Sequence, residues 1–213
     1  VYLLARKIPL WQMADIVAAA MEHCVGGTRV FLEMDAFKGK VRRWSPEDPF
    51  LYTLKLRLFE KHREVDAVTS YFGMRTVRLT DRRFLLNDEP VYLKLILDQG
   101  FYPDGVYTAP TDAALRRDIE LSMAAGYNGA RLHQKVFEPR FLYWADRLGY
   151  LCWGEAPDWV PWYNTPLAQN NLRSEWAEII RRDVMHPAIV AWTAANEQHP
   201  ASDGLRRRTD GSF

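Results

Sequence analysis

Residues 129–155 read GARLHQKVFEPRFLYWADRLGYLCWGE, and this stretch predicts a strand, a helix and a second strand in succession. The two strands are the short apolar runs Gly129–Leu132 and Tyr150–Gly154. Between them, Pro139 stands where a first helical turn accepts proline, and Gly149 stands where glycine commonly closes a helix. Two strands joined through a helix form a βαβ unit with parallel strands. The stretch therefore predicts an α/β fold.

The same alternation extends on both sides of this stretch. Val91–Leu97 is an apolar run that suits a strand covered on both faces, and Ile189–Ala195 is another strand. Two further helices are indicated by apolar stripes, at Leu115, Ile119 and Met123 after a cap at Thr111, and at Leu172, Trp176, Ile179, Ile180 and Val184. Successive strands end roughly 33 residues apart, a spacing typical of βαβ units.

Four such units begin either an open doubly wound sheet or a (β/α)8 barrel. No glycine-rich phosphate loop comes after the first strand, which argues against a nucleotide-binding doubly wound sheet and favours the barrel. A complete barrel has roughly 250 residues, about twice the length of the chain beyond residue 90. The sequence therefore predicts half of a barrel.

Upstream of the α/β region, the hydrophobic period changes from helical to two. Short strands are predicted at Val30–Met34, Leu51–Phe59, Val65–Phe72 and Met74–Leu79, which together suggest a β-sandwich. Arg83–Leu86 and Val91–Leu95 are predicted to form a hairpin around residues 87–90. Leu10–His23 reads as a short amphipathic helix that ends at Gly26.

The composition is that of an ordinary globular protein, with 213 residues, 48% hydrophobic, 26% charged and a formal net charge of +1. A charge this small argues against a nucleic-acid or membrane-surface partner. Cys24 and Cys152 lack metal-type spacing, so we expect neither a disulfide nor a zinc site. The longest apolar stretch, near Ile16–Met21, is too short for a membrane span, and no signal peptide is visible. We therefore expect no membrane partner.

Polar side chains gather where the predicted parallel strands end. They are Asp98, Gln99, Arg131, His133, Glu155, Asn196 and Glu197. The carboxyl ends of parallel strands carry the active site in α/β folds, and carboxylates, amides, a guanidinium and an imidazole are suited to acid–base chemistry on a polar substrate. Each residue also has a purely structural interpretation: Arg131 can simply pair with Glu155, and His133 can be a loop histidine.

Several ordered motifs resemble glycoside hydrolase family 2, which contains β-galactosidases, β-glucuronidases and β-mannosidases. HPAIVAWTAANE at residues 186–197 looks like the acid/base motif of that family. Similar motifs are YFGMR at 71–75, FLLN at 84–87, WSP at 44–46, PFLY at 49–52, NGAR at 128–131 and GYLCWGEA at 149–156. The likeness extends over about residues 28–200.

The resemblance implies a retaining mechanism, in which one carboxyl group is the nucleophile and another is the acid and then the base. Glu197 matches the acid/base, and Asn196 matches the residue that binds the sugar 2-hydroxyl. Arg131 matches a guanidinium that orients the nucleophilic carboxylate. Glu155 matches a third-strand carboxylate that is not the nucleophile. We expect the saccharide substrate to be bound by these rim residues: Asp98, Gln99, Arg131, His133, Glu155 and Asn196.

The resemblance also implies a multi-domain β plus α/β fold. A partial immunoglobulin-like β-sandwich in residues 1–80 would precede the first four βα units of a (β/α)8 TIM barrel in residues 81–213. The nucleophile of this family comes from a late barrel strand, so we expect the 213 residues alone to be inactive. Open strand edges also make a homo-oligomer possible.

Departures from the family pattern concern the metal and the substrate. Metal-binding family members carry Glu-x-His after the third strand, where this chain has Trp159-Val160-Pro161, so we expect neither a metal nor any other cofactor. Gln134 and Gln99 stand where histidines are common in the family. The substrate implied first is a β-galactoside, with a β-glucuronide next.

Two other functions stay open at this stage. The protein can be a non-catalytic carbohydrate-binding protein that keeps the rim of polar residues and lacks a second carboxylate. An unrelated barrel enzyme, such as an isomerase, is a weaker alternative because it leaves the β-sandwich motifs unexplained.

Overall fold

The computed structural model describes residues 28–34, 41–60, 62–157 and 165–196. These residues group into two compact units that divide between Tyr92 and Leu93, and the short segment Val184–Pro187 groups with the first unit. The predicted helix Leu10–His23 and the catalytic candidate Glu197 lie outside the described residues.

The first unit contains an antiparallel sheet of three strands, β1 (Thr28–Met34), β2 (Tyr52–Glu60) and β3 (Arg63–Phe72), in the order β1-β2-β3. The pairing of β2 with β3 aligns Tyr52 with Phe72, and their rings stack with centroids 5.2 Å apart. Both rings are buried, as is Trp44 in the segment that leads into β2. The three strands predicted for this stretch are therefore confirmed.

A second, smaller sheet comes next in the order β4-β5-β6, from β4 (Val77–Leu79), β5 (Phe84–Leu86) and β6 (Glu89–Pro90). Asn87 and Asp88 connect β5 to β6 with φ angles of 55° and 74°, the left-handed values that a tight two-residue hairpin turn requires. The predicted hairpin is present, but its second arm begins two residues earlier than predicted: Glu89 and Pro90 pair with β5, and the N–H of Val91 donates to the carbonyl of Phe84.

The second unit is a parallel four-stranded sheet with the order β10-β9-β8-β7. Its strands are β7 (Leu95–Asp98), β8 (Gly129–Leu132), β9 (Leu151–Glu155) and β10 (Ile189–Thr193). The connecting helices are α1 (Asp112–Ala124), α2 (Pro139–Leu148) and α3 (Pro166–Asp183). The predicted succession of strands and helices is confirmed. None of these described helices has the length and apolar character needed to cross a bilayer.

Local sequence signals explain where α1 and α2 begin and end. The Thr111 hydroxyl accepts a hydrogen bond from the backbone N–H of Ala114, which satisfies a donor in the first turn of α1. Helix α2 begins at Pro139 and ends at Gly149, whose φ of 76° is easily adopted by glycine. These caps fix the lengths of the crossovers and hence the positions at which the strands end.

The centre of the sheet is packed on both faces. Ala130 of β8, Leu151 of β9 and Phe141 of α2 are almost completely buried. In β7, by contrast, the prediction of a strand covered on both faces is wrong: only four residues are extended, and Leu97 is 58% exposed. β7 is also an edge strand of the described sheet, paired with β8 alone.

Trp192 of β10 belongs to this packing. Its ring contacts the ring of Trp176 from α3 edge to face, with centroids 5.4 Å apart. On the neighbouring strand, a Cβ atom added to Gly154 would lie 2.6 Å from the Trp192 ring, so glycine leaves the room that the indole fills. Trp192 is therefore a packing residue between β10, β9 and α3.

Candidate functional site: a polar rim at the carboxyl ends of the strands

The candidate residues follow from the direction of the strands. Arg131 lies in β8, Glu155 is the last residue of β9, and Asn196 comes three residues after the end of β10. Because parallel strands end at the same edge of a sheet, side chains from three separate parts of the sequence meet there. Asp98 ends β7 at the same edge.

Arg131 joins two of these strand ends. Its Nε donates to Oε2 of Glu155 over 2.6 Å, and its Nη2 donates to Oδ1 of Asn196 over 2.6 Å. The Glu155 side chain is completely buried, whereas the Arg131 side chain is 33% exposed. A buried carboxylate needs a charged partner and hydrogen bonds to offset its desolvation. Arg131 supplies both to Glu155. The pairing of these two residues is therefore structural, and it is compatible with a role for Arg131 in a functional site.

The second oxygen of Glu155 faces the loop after β8. Its Oε1 accepts a hydrogen bond from the backbone N–H of Gln134 over 3.2 Å and lies 4.0 Å from Nε2 of His133. On the other side of the imidazole, Nδ1 of His133 is 3.0 Å from Nε2 of Gln99. When the amide nitrogen donates, Nδ1 accepts and the ring proton is on Nε2, the atom that faces Glu155.

Asp98 has a different environment from Glu155. One of its oxygens, Oδ1, accepts a hydrogen bond from the backbone N–H of Gly100 over 2.8 Å, and its backbone carbonyl accepts one from the N–H of His133. Burial raises the pKa of the Asp98 carboxyl above its usual value, and the hydrogen bond from Gly100 opposes this effect only in part. Asp98 is thus a partly desolvated carboxyl group at the edge strand.

Lys135 is a rim residue that the sequence pattern does not reveal. Its Nζ donates to the backbone carbonyl oxygens of Gly100, at 2.5 Å, and of Tyr107, at 2.8 Å. Burial lowers the pKa of its ammonium group. The ammonium therefore connects the loop after β8 to the loop after β7. Lys135 carries no sequence signal for this role, because lysines are usually solvated.

Gln134 also belongs to the rim, although its sequence position indicates only a departure from the family pattern. Its backbone has a φ of 55°, in the left-handed region that glycine favours. Its side-chain Nε2 is buried and has no hydrogen-bond partner within the described part of the chain. No sequence pattern indicates a positive φ at a residue other than glycine, asparagine or aspartate. The backbone conformation of Gln134 could therefore not be predicted.

The structure thus connects Gln99, His133, Glu155, Arg131 and Asn196 through one series of contacts. Asp98 joins it through the backbone of His133. Glu197 and the segment Trp159–Pro161 lie outside the described residues. Among the residues that are described, no group of three His, Cys, Asp or Glu side chains is placed to hold a metal ion.

The chain is similar to known proteins. Residues 23–75 match the profile of the glycosyl hydrolases family 2. A putative beta-glucuronidase of Formosa agariphila is 32% identical over 161 residues, covering 73% of this chain and 19% of that protein. A beta-galactosidase of Thermoanaerobacter pseudethanolicus is 31% identical over 156 residues, covering 70% of this chain and 20% of that protein.

A solved structure is similar as well. The crystal structure of Bacteroides uniformis beta-glucuronidase superposes with a TM-score of 0.68 at 30% identity, covering 80% of this chain and 20% of that one. The chain spans less than a third of the length of the curated relatives it matches. From the profile match, these relatives and the shared fold, the chain belongs to glycosyl hydrolase family 2.

Proposed function

We propose that this chain forms part of a retaining β-glycosidase, and that the rim at the carboxyl ends of β7 to β10 binds the saccharide. The observation that carries the proposal is the double contact of Arg131 with Glu155 and Asn196. These two hydrogen bonds hold the amide of Asn196 and the carboxylate of Glu155 around one guanidinium. They lie at the edge of the sheet where α/β folds bind their substrates.

In the proposed mechanism, Glu197 is the proton donor. Asn196 directly precedes it, and the hydrogen bond from Arg131 to Oδ1 holds the amide of Asn196 in one orientation. A fixed amide suits the proposed contact with the sugar 2-hydroxyl, which strengthens at the oxocarbenium-like transition state. Glu197 then protonates the leaving oxygen and afterwards activates the water that releases the sugar.

The geometry of Glu155 supports a positioning role and argues against its being the nucleophile. Oε2 is bound by Arg131, Oε1 is bound by the N–H of Gln134, and the side chain is fully buried. A nucleophilic carboxylate must reach an anomeric carbon with one oxygen, which this arrangement does not allow. We therefore propose that the nucleophile, about 5–5.5 Å from Glu197 in a retaining enzyme, comes from outside these 213 residues.

We propose further that the 213 residues alone do not hydrolyse glycosides, because double displacement needs both carboxyl groups. In this proposal residues 1–80 belong to an immunoglobulin-like β-sandwich domain. Residues 81–213 form the first half of a (β/α)8 TIM barrel domain. The partner is then a saccharide, and its glycone is a β-galactoside or a β-glucuronide.

The described rim favours the neutral sugar over the uronic acid. The Arg131 guanidinium is paired with Glu155, and the Lys135 ammonium is bound to two backbone carbonyls. Within the described residues, both of these cations are therefore already engaged, and the carboxylate of a uronic acid gains less from them than from an uncommitted cation. We place the β-galactoside first for this reason.

The test is a substrate panel with the full-length protein that carries this chain. We expect turnover of p-nitrophenyl β-galactoside or β-glucuronide, and loss of turnover on glycosides with poor leaving groups when Glu197→Gln removes the proton donor. Glu178→Gln, an exposed substitution on α3, is the matched control. Binding of sugars without any turnover of the panel would instead indicate a non-catalytic carbohydrate-binding protein.

A further inference from the structure

The side chain of Lys135 connects two loops at the carboxyl edge of the parallel sheet. Lys135 itself is the third residue after the end of β8. Its ammonium group lies against the loop between β7 and α1, residues 99–111, which we call the β7–α1 loop. This loop begins with Gln99, directly after Asp98 at the end of β7. A residue of one loop is therefore in a position to hold the other.

The ammonium group binds both arms of the β7–α1 loop. Its Nζ donates to the carbonyl oxygen of Gly100, in the first arm, over 2.5 Å, and to that of Tyr107, in the second arm, over 2.8 Å. Between these two points, Tyr102 and Val106 exchange two backbone hydrogen bonds. Lys135 therefore closes the loop near its base, as the bridge between Tyr102 and Val106 closes it nearer its tip.

The surroundings of Nζ keep the ammonium group in place. Nζ lies 5.2 Å from the centroid of the Tyr107 ring and 5.1 Å from that of the Phe137 ring, within the range of cation–π contacts. Gly100 leaves the necessary room, because a Cβ atom added there would lie 2.8 Å from Nζ and 2.8 Å from the Phe137 ring. Hydrogen bonds from a charged donor are stronger than neutral ones, so the carbonyl of Gly100 is firmly held.

The peptide unit that Lys135 holds adjoins a candidate substrate-binding residue. The amide nitrogen of Gln99 lies 3.0 Å from Nδ1 of His133, and the N–H of Gly100 donates to Oδ1 of Asp98 over 2.8 Å. Residues 98–100 therefore combine contacts to the rim with the carbonyl that Lys135 binds. A shift of Gly100 would move the Gln99 amide away from His133.

We propose that Lys135 is a positioning residue that fastens the β7–α1 loop and thereby holds the Gln99 amide in the orientation that binds the saccharide. This inference rests on the proposed function, since it needs a saccharide on the rim. Lys135 acts through Gln99 and makes no substrate contact of its own. A contact that is the same in the ground state and the transition state changes KM and leaves kcat nearly unchanged.

The experiment measures kcat and KM of the full-length protein on the best p-nitrophenyl glycoside of the panel. Lys135→Met keeps most of the side-chain length and removes the N–H donors, whereas Lys135→Arg keeps the charge and the donors. Lys94→Met is the matched control, because Lys94 is an exposed lysine directly before β7. A variant that only folds less well loses apparent kcat and keeps its KM, so the two parameters separate positioning from stability.

We expect Lys135→Met to raise KM about tenfold, the effect of one lost hydrogen bond, with kcat within about twofold of the wild type. Lys135→Arg should keep KM within about threefold of the wild type, because its guanidinium still donates to the carbonyls. Lys94→Met should leave both parameters unchanged.

A double-mutant cycle tests the path through Gln99. Gln99→Ala removes the amide that Lys135 is proposed to position, so the two substitutions share one effect and are not additive. In the Gln99→Ala background, Lys135→Met should raise KM further by less than about threefold. Should Lys135→Met not fold, Lys135→Gln, which is shorter and uncharged, takes its place in the cycle under the same criteria.

Three results overturn the inference. If the wild type hydrolyses the glycoside and Lys135→Met keeps the wild-type KM, Lys135 has no positioning role and the proposed function stands. An equal rise of KM with and without the Gln99 amide likewise excludes the path through Gln99 and leaves the proposed function intact. If the wild type hydrolyses none of the glycosides, the proposed function fails and this inference fails with it.

Discussion

Arg131 and Glu155 form a charged pair in which only one partner is removed from water. The carboxylate is completely buried, the guanidinium is 33% exposed, and Nε lies 2.6 Å from Oε2. Because Glu155 also binds the backbone of Gln134, it anchors both the guanidinium and the loop after β8. Arg131 holds Asn196 through Nη2, so the orientation of Asn196 depends on the same carboxylate.

The first prediction concerns this anchor. Glu155→Gln removes the charge that compensates Arg131 and leaves one oxygen to serve two donors. We expect the free energy of unfolding to fall by about 2 kcal/mol, less than for a fully buried pair because Arg131 is partly solvated. Urea denaturation measures the change. Glu120→Gln, which breaks the exposed pair between Glu120 and Arg116 on α1, should cost less than about 0.5 kcal/mol. Equal losses for the two variants would contradict the anchoring role.

The second prediction concerns the packing of β9 against β10. Gly154→Ala places a methyl group 2.6 Å from ring atoms of Trp192, and the indole has Trp176 against it. We expect a loss of about 1–3 kcal/mol in the free energy of unfolding, the usual cost of overpacking. Denaturant unfolding of the double variant Gly154→Ala/Trp192→Leu should show a smaller loss than the sum of the two single variants. Strict additivity would mean that the methyl group and the indole do not meet.

The third prediction concerns pH. The folded-state pKa of Asp98 is raised, mainly by burial, whereas the unfolded chain has the ordinary value near 3.9. Asp98 therefore stays protonated in the folded chain at a pH at which it has lost its proton in the unfolded chain. Stability contributed by protonated Asp98 is present below the unfolded pKa and is lost as the pH rises through the folded pKa.

Asp98→Asn tests this directly, because the amide keeps an oxygen for the N–H of Gly100 and does not titrate. The unfolding free energy of the wild type relative to this variant should fall as the pH rises from below the unfolded pKa through the raised folded pKa of Asp98. Chemical denaturation at a series of pH values gives the difference. A constant difference, or one that grows with pH, would show that Asp98 is not desolvated.

Much of the second unit could be predicted because the sequence signals for its strands and helix ends are local. Strand β8 has the predicted bounds, Pro139 and Gly149 delimit α2, and Thr111 caps α1 as the sequence indicates. Caps and apolar runs act over a few residues, and the length of a crossover then determines which strand ends are adjacent. The convergence of Arg131, Glu155 and Asn196 follows from that geometry.

Two of the errors, at Leu97 and Lys135, depend on non-local contacts, whereas the error in the hairpin concerns the length of a turn. The exposure of Leu97 depends on which segments cover that face of β7, and the apolar run itself does not encode them. The predicted hairpin arm is misplaced because a two-residue turn at Asn87 and Asp88 is shorter than the four-residue connection expected. Lys135 escapes prediction because its partners are backbone carbonyls about 30 residues away, which no spacing rule identifies.

The stereochemistry of the first-formed product tests the central claim most directly. Proton nuclear magnetic resonance can follow the anomeric signals while the full-length protein hydrolyses a p-nitrophenyl β-glycoside from the panel. A retaining enzyme with Glu197 as acid and base releases the β-anomer first, and the α-anomer appears only as the sugar mutarotates. Initial release of the α-anomer would contradict the account, and so would hydrolysis that continues at the wild-type rate in Glu197→Gln.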